Sequence, residues 1–317
     1  MSKPVVLLYE PIHSKAVELL KEHAEVRMAS SLEEEALLKT ISDVQGIIIR
    51  ANGKVSRRLM EAAPHLKVVA RHGTGVEAID RKAAAELGIT VVNTPDANVE
   101  SVAEQCVAFM IILSKRILEG DKAFRSGDWA ARYRLTGIEP YGKMLGIVGM
   151  GRIGYRVAEI CHFGLGMEVS YYDVIPNPRA ETSMGAQRVG LDELLSRSDV
   201  VSLHLPLMPA TRGMINADTL HTMKPSAFLI NSSRGQVVDQ AALVQALQEG
   251  WIAGAGLDVY DPEPLPADNP LLKLENVVVT PHMAAHTDEA LLRMAMVVED
   301  VIAVIEGRTP KNPVLAD

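Results

Sequence analysis

The stretch Lys143-Met-Leu-Gly-Ile-Val-Gly-Met-Gly-Arg-Ile-Gly154 decides the fold of this chain. Its apolar residues 145–148 are typical of a short buried strand, and the pattern Gly149-x-Gly151-x-x-Gly154 follows at once. Gly149 lets the chain turn sharply off the strand, Gly151 lets a phosphate approach the backbone, and Gly154 lets the next helix pack closely. A helical run comes directly after the glycines, so its positively polarised N-terminus would face that phosphate.

A second apolar strand ends at Asp173, nineteen residues after Gly154. An acidic side chain at this strand end can accept both ribose hydroxyls of an adenosine. A carboxylate there would repel a 2′-phosphate, and no Arg or Lys follows before Arg179. Strand, glycine pattern, helix and acid together predict a dinucleotide site that favours NAD over NADP. A solvated aspartate at an ordinary strand end is the alternative interpretation.

Length and composition set the class of protein. A chain of 317 residues is long enough for two domains. Hydrophobic residues make up 48% of it but aromatic residues only 4%, so its cores must be built from aliphatic side chains, which suit buried parallel strands. The net charge of −8 argues against nucleic acid or an anionic membrane as a partner.

The two cysteines, Cys106 and Cys161, both fall in apolar helical runs. Buried thiols are therefore favoured over a disulfide, which fits a reducing cytoplasm. The N-terminal apolar run is short and is typical of a first strand rather than a signal peptide. No apolar stretch approaches the roughly 20 residues that a membrane-spanning helix needs.

Strand-like and helical runs alternate along the chain, which predicts parallel sheets covered by helices on both faces. Residues 1–98 lack the dinucleotide pattern and are interpreted as a smaller, flavodoxin-like unit. Two long helical runs, 99–120 and 287–305, are predicted to cross between the domains. The expected architecture is α/β with two doubly wound Rossmann-like domains and a cleft between them: a substrate domain of residues 1–98 plus 287–317, and an NAD-binding domain of residues 99–286.

An irregular segment, residues 122–141, precedes the glycine pattern and is rich in aromatic and Arg residues. They include Trp129, Arg132, Tyr133 and Arg134. Such residues are enriched at protein interfaces, so a subunit contact is one interpretation and a plain surface loop is the other.

Polar residues follow several strands at the edge where an open α/β sheet binds its ligands. His282 is suited to give a proton near neutral pH to the alkoxide that forms when a 2-oxo acid is reduced. Arg234 offers a planar, permanently charged donor for the substrate carboxylate and oxo group. Glu263 could pair with His282, fix its tautomer and raise its pKa. The glycines of Gly73-Thr-Gly75 leave backbone N–H groups free to hold a carboxylate.

These residues lie in stretches that match a family over nearly the whole chain. The chain resembles the D-isomer-specific 2-hydroxyacid dehydrogenases, which include D-3-phosphoglycerate dehydrogenases and glyoxylate and hydroxypyruvate reductases. The matching stretches are Arg71-His-Gly-Thr-Gly-Val-Glu-Ala-Ile-Asp80, Ser101-Val-Ala-Glu104, Gly149 to Gly154, His204-Leu-Pro-Leu207, Ile230-Asn-Ser-Ser-Arg-Gly235, Leu257-Asp-Val-Tyr-Asp-Pro-Glu-Pro264 and Thr280-Pro-His282.

The resemblance implies an NAD-dependent oxidoreductase that is a homodimer joined through its NAD-binding domains. It implies that Arg234, Glu263 and His282 are catalytic. Together with the glycine pattern, it implies cofactor contacts at Thr74, Gly149, Gly151, Arg152, Ile153, Gly154, Asp173, Leu205, Ser232 and Asp258, the last on the nicotinamide amide. The expected substrate contacts are Arg71, Thr74, Gly75, Val76, Arg234 and His282.

Two histidines depart from the family pattern near the expected substrate pocket. His286 follows the catalytic histidine where small residues are usual, and His72 replaces a residue that is often small or aromatic. The spacing of His282 and His286 raises the alternative of a metal site. Pro281 puts His282 in a loop and no Glu lies beside it, so no metal is predicted.

The favoured function is the reduction of a small 2-oxo acid, resembling glyoxylate or hydroxypyruvate, with His282 as the acid. A phosphoglycerate- or sulfolactate-type substrate is an alternative within the class. The additional cationic side chains that it would need are available in Arg50, Arg71, His72, Arg134 and His286. An NAD(H)-sensing binding protein, similar to the co-repressor relatives of the family, is the alternative from another class.

Overall fold

The computed structural model describes residues 3–315 and divides them into two compact α/β units. The first unit contains the described residues up to Asn98 and those from His286 onward, and the second contains Val99–Ala285. This boundary differs by one residue from the predicted one, which placed His286 in the NAD-binding domain. Among residues 3–315, no helix is long and apolar enough to cross a membrane.

Strands and helices alternate in both units, as the sequence pattern predicts. The strands are β1 Val5–Leu8, β2 Glu25–Met28, β3 Val44–Ile49, β4 Val68–Arg71, β5 Thr90–Val92, β6 Met144–Val148, β7 Glu168–Tyr172, β8 Gln187–Arg188, β9 Val200–Leu203, β10 Phe228–Asn231, β11 Gly254–Leu257 and β12 Val277–Val279. The helices are α1 Ser14–His23, α2 Glu34–Leu37, α3 Arg57–Glu61, α4 Arg81–Glu86, α5 Val99–Lys115, α6 Ile117–Arg125, α7 Arg152–Leu165, α8 Pro178–Met184, α9 Leu191–Arg197, α10 Ala217–Thr222, α11 Gln240–Glu249, α12 Asp288–Ala295 and α13 Val298–Ile305.

The sheet of the first unit has the strand order β2-β1-β3-β4-β5, with all its pairs parallel. Its central strands are almost wholly buried, since aliphatic side chains from helices pack on both faces. This is the doubly wound arrangement that the alternating pattern of residues 1–98 predicts.

The sheet of the second unit has the order β12-β11-β10-β9-β6-β7-β8, again with all pairs parallel. Its first strand in the chain, β6, lies between β7 and β9, where the order of the strands reverses. Ligands of open α/β sheets bind at the carboxyl ends of the strands beside such a switch point. The glycine pattern follows β6, so the fold puts it at that position.

The prediction of two long helical runs was wrong in detail. The run 99–120 ends at Lys115, because Arg116 adopts a left-handed conformation (φ 53°) and its guanidinium bonds to the Glu119 carboxylate. The run 287–305 is interrupted at Met296 and Val297. The N–H groups of Val297 and Glu299 donate to carbonyl oxygens three residues back instead of four. All of these residues tolerate a helix well enough that composition does not reveal either break.

Candidate functional site

The glycine pattern forms a tight loop between β6 and α7. Gly149 has a φ of 99°, and a Cβ there would lie 2.6 Å from the carbonyl oxygen of His204. A Cβ on Gly154 would lie 2.1 Å from the carbonyl oxygen of Gly149. Gly151 precedes α7 without a side-chain cap, and the space that its Cβ would take is open. The loop therefore leaves the N-terminus of a fourteen-residue helix accessible to an anionic group.

Asp173 lies beside this loop, directly after β7. Its carboxylate accepts hydrogen bonds from the backbone N–H of Met150 (2.8 Å) and of Ile175 (3.1 Å). Arg188 of the edge strand β8 donates to the carbonyl oxygens of Asp173 (2.9 Å) and Val174 (3.0 Å). The strand-end acid is thus held against the glycine loop from both sides. Arg188 was not among the residues selected from the sequence, because its strand has only two residues.

The other residues predicted to contact the cofactor in this unit follow neighbouring strands or begin α7. Arg152 and Ile153 begin α7. Leu205 follows β9, and its Cδ2 lies 3.0 Å from the position that a Cβ on Gly149 would take. Ser232 follows β10, and its hydroxyl is buried beside the Cys106 thiol. An open phosphate cradle and an acid at the end of the adjacent strand β7 fit a nicotinamide dinucleotide.

His282 and Glu263 form a hydrogen-bonded pair, the pairing expected from the sequence. The imidazole Nδ1 and the carboxylate Oε2 are 2.7 Å apart. The hydrogen bond to Glu263 raises the pKa of His282 above its ordinary value, although burial and the charge of Arg234 oppose this rise. Burial raises the pKa of Glu263, but the hydrogen bonds from His282 and from the Tyr260 N–H outweigh it, so the net shift is downward. The pair therefore favours a protonated imidazole beside a charged carboxylate.

The backbone at His282 is strained, since its φ of 50° lies in the left-handed region that non-glycine residues avoid at a cost of roughly 1–2 kcal/mol. Buried Asp258 holds this conformation. Its carboxylate accepts from the Thr280 hydroxyl (2.5 Å) and from the N–H groups of Met283 (2.8 Å) and Ala284 (2.9 Å). Its carbonyl oxygen accepts from the His282 N–H at 2.9 Å. Asp258 therefore holds the segment 280–284, which contains His282, and its contact with the nicotinamide amide stays a prediction.

Arg234 follows β10 in the same unit. One of its guanidinium nitrogens, Nη1, donates to the carbonyl oxygen of Ser233 at 2.7 Å. Its positive charge acts on both members of the pair, because it lowers the pKa of Glu263 and of His282. The structure thus brings together the three side chains that the sequence predicts to be catalytic, from three separate strand ends of one sheet.

The predicted substrate contacts Arg71, Thr74, Gly75 and Val76 belong to the first unit. Arg71 ends β4, and the other three follow it. The Thr74 hydroxyl donates to the Asn98 side chain at 3.1 Å, and its carbonyl oxygen accepts from the Asn93 side chain at 2.8 Å. These residues lie at the carboxyl edge of their own sheet, where the sequence predicts them, and their role in binding substrate stays a prediction.

Sequence reasoning missed Tyr260. The residue lies inside the stretch from Leu257 to Pro264 that matches the family, but it received no role, because a tyrosine after a strand is an ordinary core residue. Its hydroxyl lies 3.0 Å from the carbonyl oxygen of Leu257 and 2.8 Å from that of Thr280, and its one hydrogen is shared between them. Only the tertiary structure reveals that Tyr260 contacts Thr280, two residues before His282.

Comparison with known proteins agrees with this geometry. The model of the D-isomer specific 2-hydroxyacid dehydrogenase family, NAD binding domain, matches residues 107–284. A glyoxylate reductase of Korarchaeum cryptofilum is 41% identical over 98% of this chain and 95% of its own length. A D-3-phosphoglycerate dehydrogenase of Methanocaldococcus jannaschii is 42% identical over 98% of this chain, which spans 59% of that longer protein.

A solved structure extends the comparison to three dimensions. The NADPH-dependent glyoxylate/hydroxypyruvate reductase of Sinorhizobium meliloti, in complex with NADP and malonate, matches with a TM-score of 0.87 and 31% identity, covering 99% of this chain and 97% of that one. The chain belongs to the D-isomer specific 2-hydroxyacid dehydrogenases, and it is an oxidoreductase with a Rossmann-type domain for a nicotinamide cofactor.

Proposed function

We propose that this protein is an NAD-dependent dehydrogenase that interconverts a small D-2-hydroxy acid and its 2-oxo acid, with a glyoxylate- or hydroxypyruvate-like substrate. The observation that carries the proposal is the 2.7 Å pair of His282 and Glu263 within the field of Arg234. An acid with a raised pKa beside a fixed guanidinium matches the two needs of 2-oxo acid reduction, a proton donor and a carboxylate anchor.

Each side chain has a defined task in the proposed mechanism. Protonated His282 gives a proton to the developing alkoxide oxygen, and the charge of Glu263 keeps the resulting neutral ring in one orientation. Arg234 binds the substrate carboxylate and polarises the oxo group. A nicotinamide coenzyme, when bound, supplies the hydride for reduction or accepts it in the reverse direction. Within this proposal the backbone at Thr74, Gly75 and Val76, together with Arg71, also contacts the substrate.

A substrate with a second anionic group is the other candidate, of the phosphoglycerate or sulfolactate type. A specific observation favours it: burial, together with the charges of Arg50 and Arg71, lowers the pKa of His72 to about 4. The positive charges of Arg50 and Arg71 therefore both act at His72, at the carboxyl edge of the first sheet. Their field would favour a phosphate or sulfonate at this edge.

Steady-state oxidation of NADH with glyoxylate, hydroxypyruvate, phosphohydroxypyruvate and sulfopyruvate tests these proposals together. The favoured function requires the highest kcat/KM with one of the first two acids. A preference for one of the last two would establish the doubly anionic substrate. Tight binding of NADH without turnover of any acid would contradict both and favour the NAD(H)-sensing alternative.

The choice of NAD over NADP rests on Asp173 and gives a testable prediction. Asp173→Asn keeps an acceptor for the Met150 N–H but removes the charge that would repel a 2′-phosphate. We expect the ratio of kcat/KM for NADH to that for NADPH to fall by about tenfold or more, about 1.4 kcal/mol of discrimination. The exposed Asp268→Asn is the control and should leave the ratio unchanged. A wild-type enzyme that prefers NADPH would refute the assignment outright.

We further propose a homodimer joined through the second unit. Phe124, Trp129 and Tyr133 expose 64%, 64% and 77% of their surface, and Arg132 stacks on the last two rings. Aromatic and Arg side chains in one exposed cluster are typical of an interface. Light scattering on the Trp129→Ala variant should show a shift from dimer toward monomer, and an unchanged mass would remove the cluster from the interface.

A reducing compartment such as the cytoplasm is part of the proposal. The free thiols of Cys106 and Cys161 are both buried, in α5 and α7, and burial raises the pKa of each, to about 11 for Cys106 and about 12 for Cys161. Such thiols stay protonated and unreactive near neutral pH.

A further inference from the structure

We propose that Tyr260 is a positioning residue that holds together the three chain segments bearing the catalytic side chains. This inference rests on the function proposed above and deepens it. Tyr260 comes three residues after the end of β11 and is 6% exposed, so its contacts are made inside the unit. It contacts each of the three segments with a different part of the residue: the amide, the hydroxyl and the backbone carbonyl.

The amide of Tyr260 orients Glu263. Its N–H donates to Oε1 of the Glu263 carboxylate at 3.0 Å. The other oxygen, Oε2, is the one that pairs with His282. A carboxylate with one oxygen held in this way cannot rotate freely, so the second oxygen remains directed at the imidazole.

The hydroxyl of Tyr260 holds the turn that carries His282. Its single O–H is shared between the carbonyl oxygen of Thr280, two residues before the histidine, and that of Leu257 at the end of β11. The same Thr280 carbonyl accepts from the His282 N–H at 3.0 Å. The hydroxyl therefore ties the left-handed turn at His282 to the neighbouring strand, and the side chain depends on that turn for its direction.

The backbone carbonyl of Tyr260 packs against the segment of Arg234. A Cβ on Gly235, the next residue, would lie 1.9 Å from the Tyr260 carbonyl oxygen, a distance that no side chain can adopt. Gly235 thus permits a close approach of the two main chains next to Arg234.

The Tyr260 hydroxyl is a constant donor under working conditions. Burial, together with the charges of Asp258 and Glu263, raises its pKa to about 12. The hydroxyl therefore stays protonated across the pH range in which the histidine titrates. The charged groups that act on His282 are Glu263, Asp258 and Arg234, and Tyr260→Phe leaves all three in place.

The experiment compares full-length Tyr260→Phe with the matched control Tyr9→Phe. Tyr9 is also a buried tyrosine whose hydroxyl donates to a distant carbonyl, that of Lys54, in the first unit. The rate of reduction of the best 2-oxo acid is measured with NADH from about pH 5 to pH 10. For Tyr260→Phe we expect kcat to fall about tenfold and KM for NADH to stay within about twofold. The control should keep the wild-type profile.

The pH profile separates positioning from mere stability. A looser His282–Glu263 contact returns the histidine pKa toward its ordinary value, so the alkaline limb of the reduction profile moves to lower pH in Tyr260→Phe. Loss of folded protein would lower the rate without moving the limb. If the variant is too inactive to profile, NMR titration of isotope-labelled histidine reports the same pKa. If the alkaline limb, or the histidine pKa from NMR, is the same in Tyr260→Phe as in wild type, the inference is wrong.

The result is also distinguishable from failure of the proposed function. If His282→Ala abolishes reduction while Tyr260→Phe matches wild type, the positioning role is wrong and the proposed function stands. If His282→Ala retains full reduction, both are wrong.

Discussion

Replacement of His282 by alanine is expected to lower kcat for 2-oxo acid reduction by about 10²- to 10⁴-fold, the contribution usual for a positioned general acid. The imidazole is paired with Glu263 at 2.7 Å, which raises its pKa, so it is the proton donor that the site offers at neutral pH. Loss of the ring should leave NADH affinity within a few-fold, because the glycine loop and Asp173 lie at other strand ends. Stopped-flow measurement of NADH oxidation and fluorescence titration of NADH binding check the two parts. Near-normal turnover would refute the assignment.

Glu263→Gln tests the pairing directly, since it keeps the shape of the pair and removes the charge. The folded-state pKa of His282 is raised, chiefly by the hydrogen bond to Glu263, so the protonated form that reduction needs is lost as pH rises through that raised value. Without the carboxylate charge the pKa falls, and reduction should lose activity at a lower pH than in wild type. Oxidation of the hydroxy acid needs the neutral ring, so its acidic limb should move to lower pH as well. Opposite movement of either limb would show that Glu263 does not tune the histidine.

Arg234→Lys is expected to lower kcat/KM for the 2-oxo acid by about a hundredfold, which corresponds to about 2.7 kcal/mol of transition-state stabilisation. Lysine keeps the charge but loses the planar fork that binds a carboxylate through two parallel hydrogen bonds. The loss should appear in KM as well as in kcat, because the carboxylate is bound in the ground state and in the transition state alike.

The matched control is Arg197→Lys, which alters an exposed ion pair with Glu193 on α9 and should change neither constant. In Arg234→Lys the charge that acts on His282 is kept, so the pH profile should remain near that of wild type. A kcat/KM within about threefold of wild type would show that the substrate carboxylate is bound elsewhere.

Most of the fold follows from local sequence signals. Apolar runs of four to six residues separated by helical periodicity predict parallel strands, and the glycine pattern predicts which strand begins the cofactor unit. The sequence did not reveal α8 and β8, since a seven-residue helix and a two-residue strand leave too few residues for a pattern. Arg116 is the clearest failure, because a good helix former adopts a left-handed conformation there and ends α5.

The sequence by itself determined the identities of the chemical groups and their strand ends: the glycine loop after β6, Asp173 after β7, Arg234 after β10, and His282 after β12. It could do so because parallel strands bring their carboxyl ends to one edge, whatever their order in the chain. Only the tertiary structure decided how His282 is held, through its left-handed turn, the carboxylate of Asp258 and the hydroxyl of Tyr260. These contacts join residues up to 26 positions apart, as between Asp258 and Ala284, and no local pattern encodes such contacts.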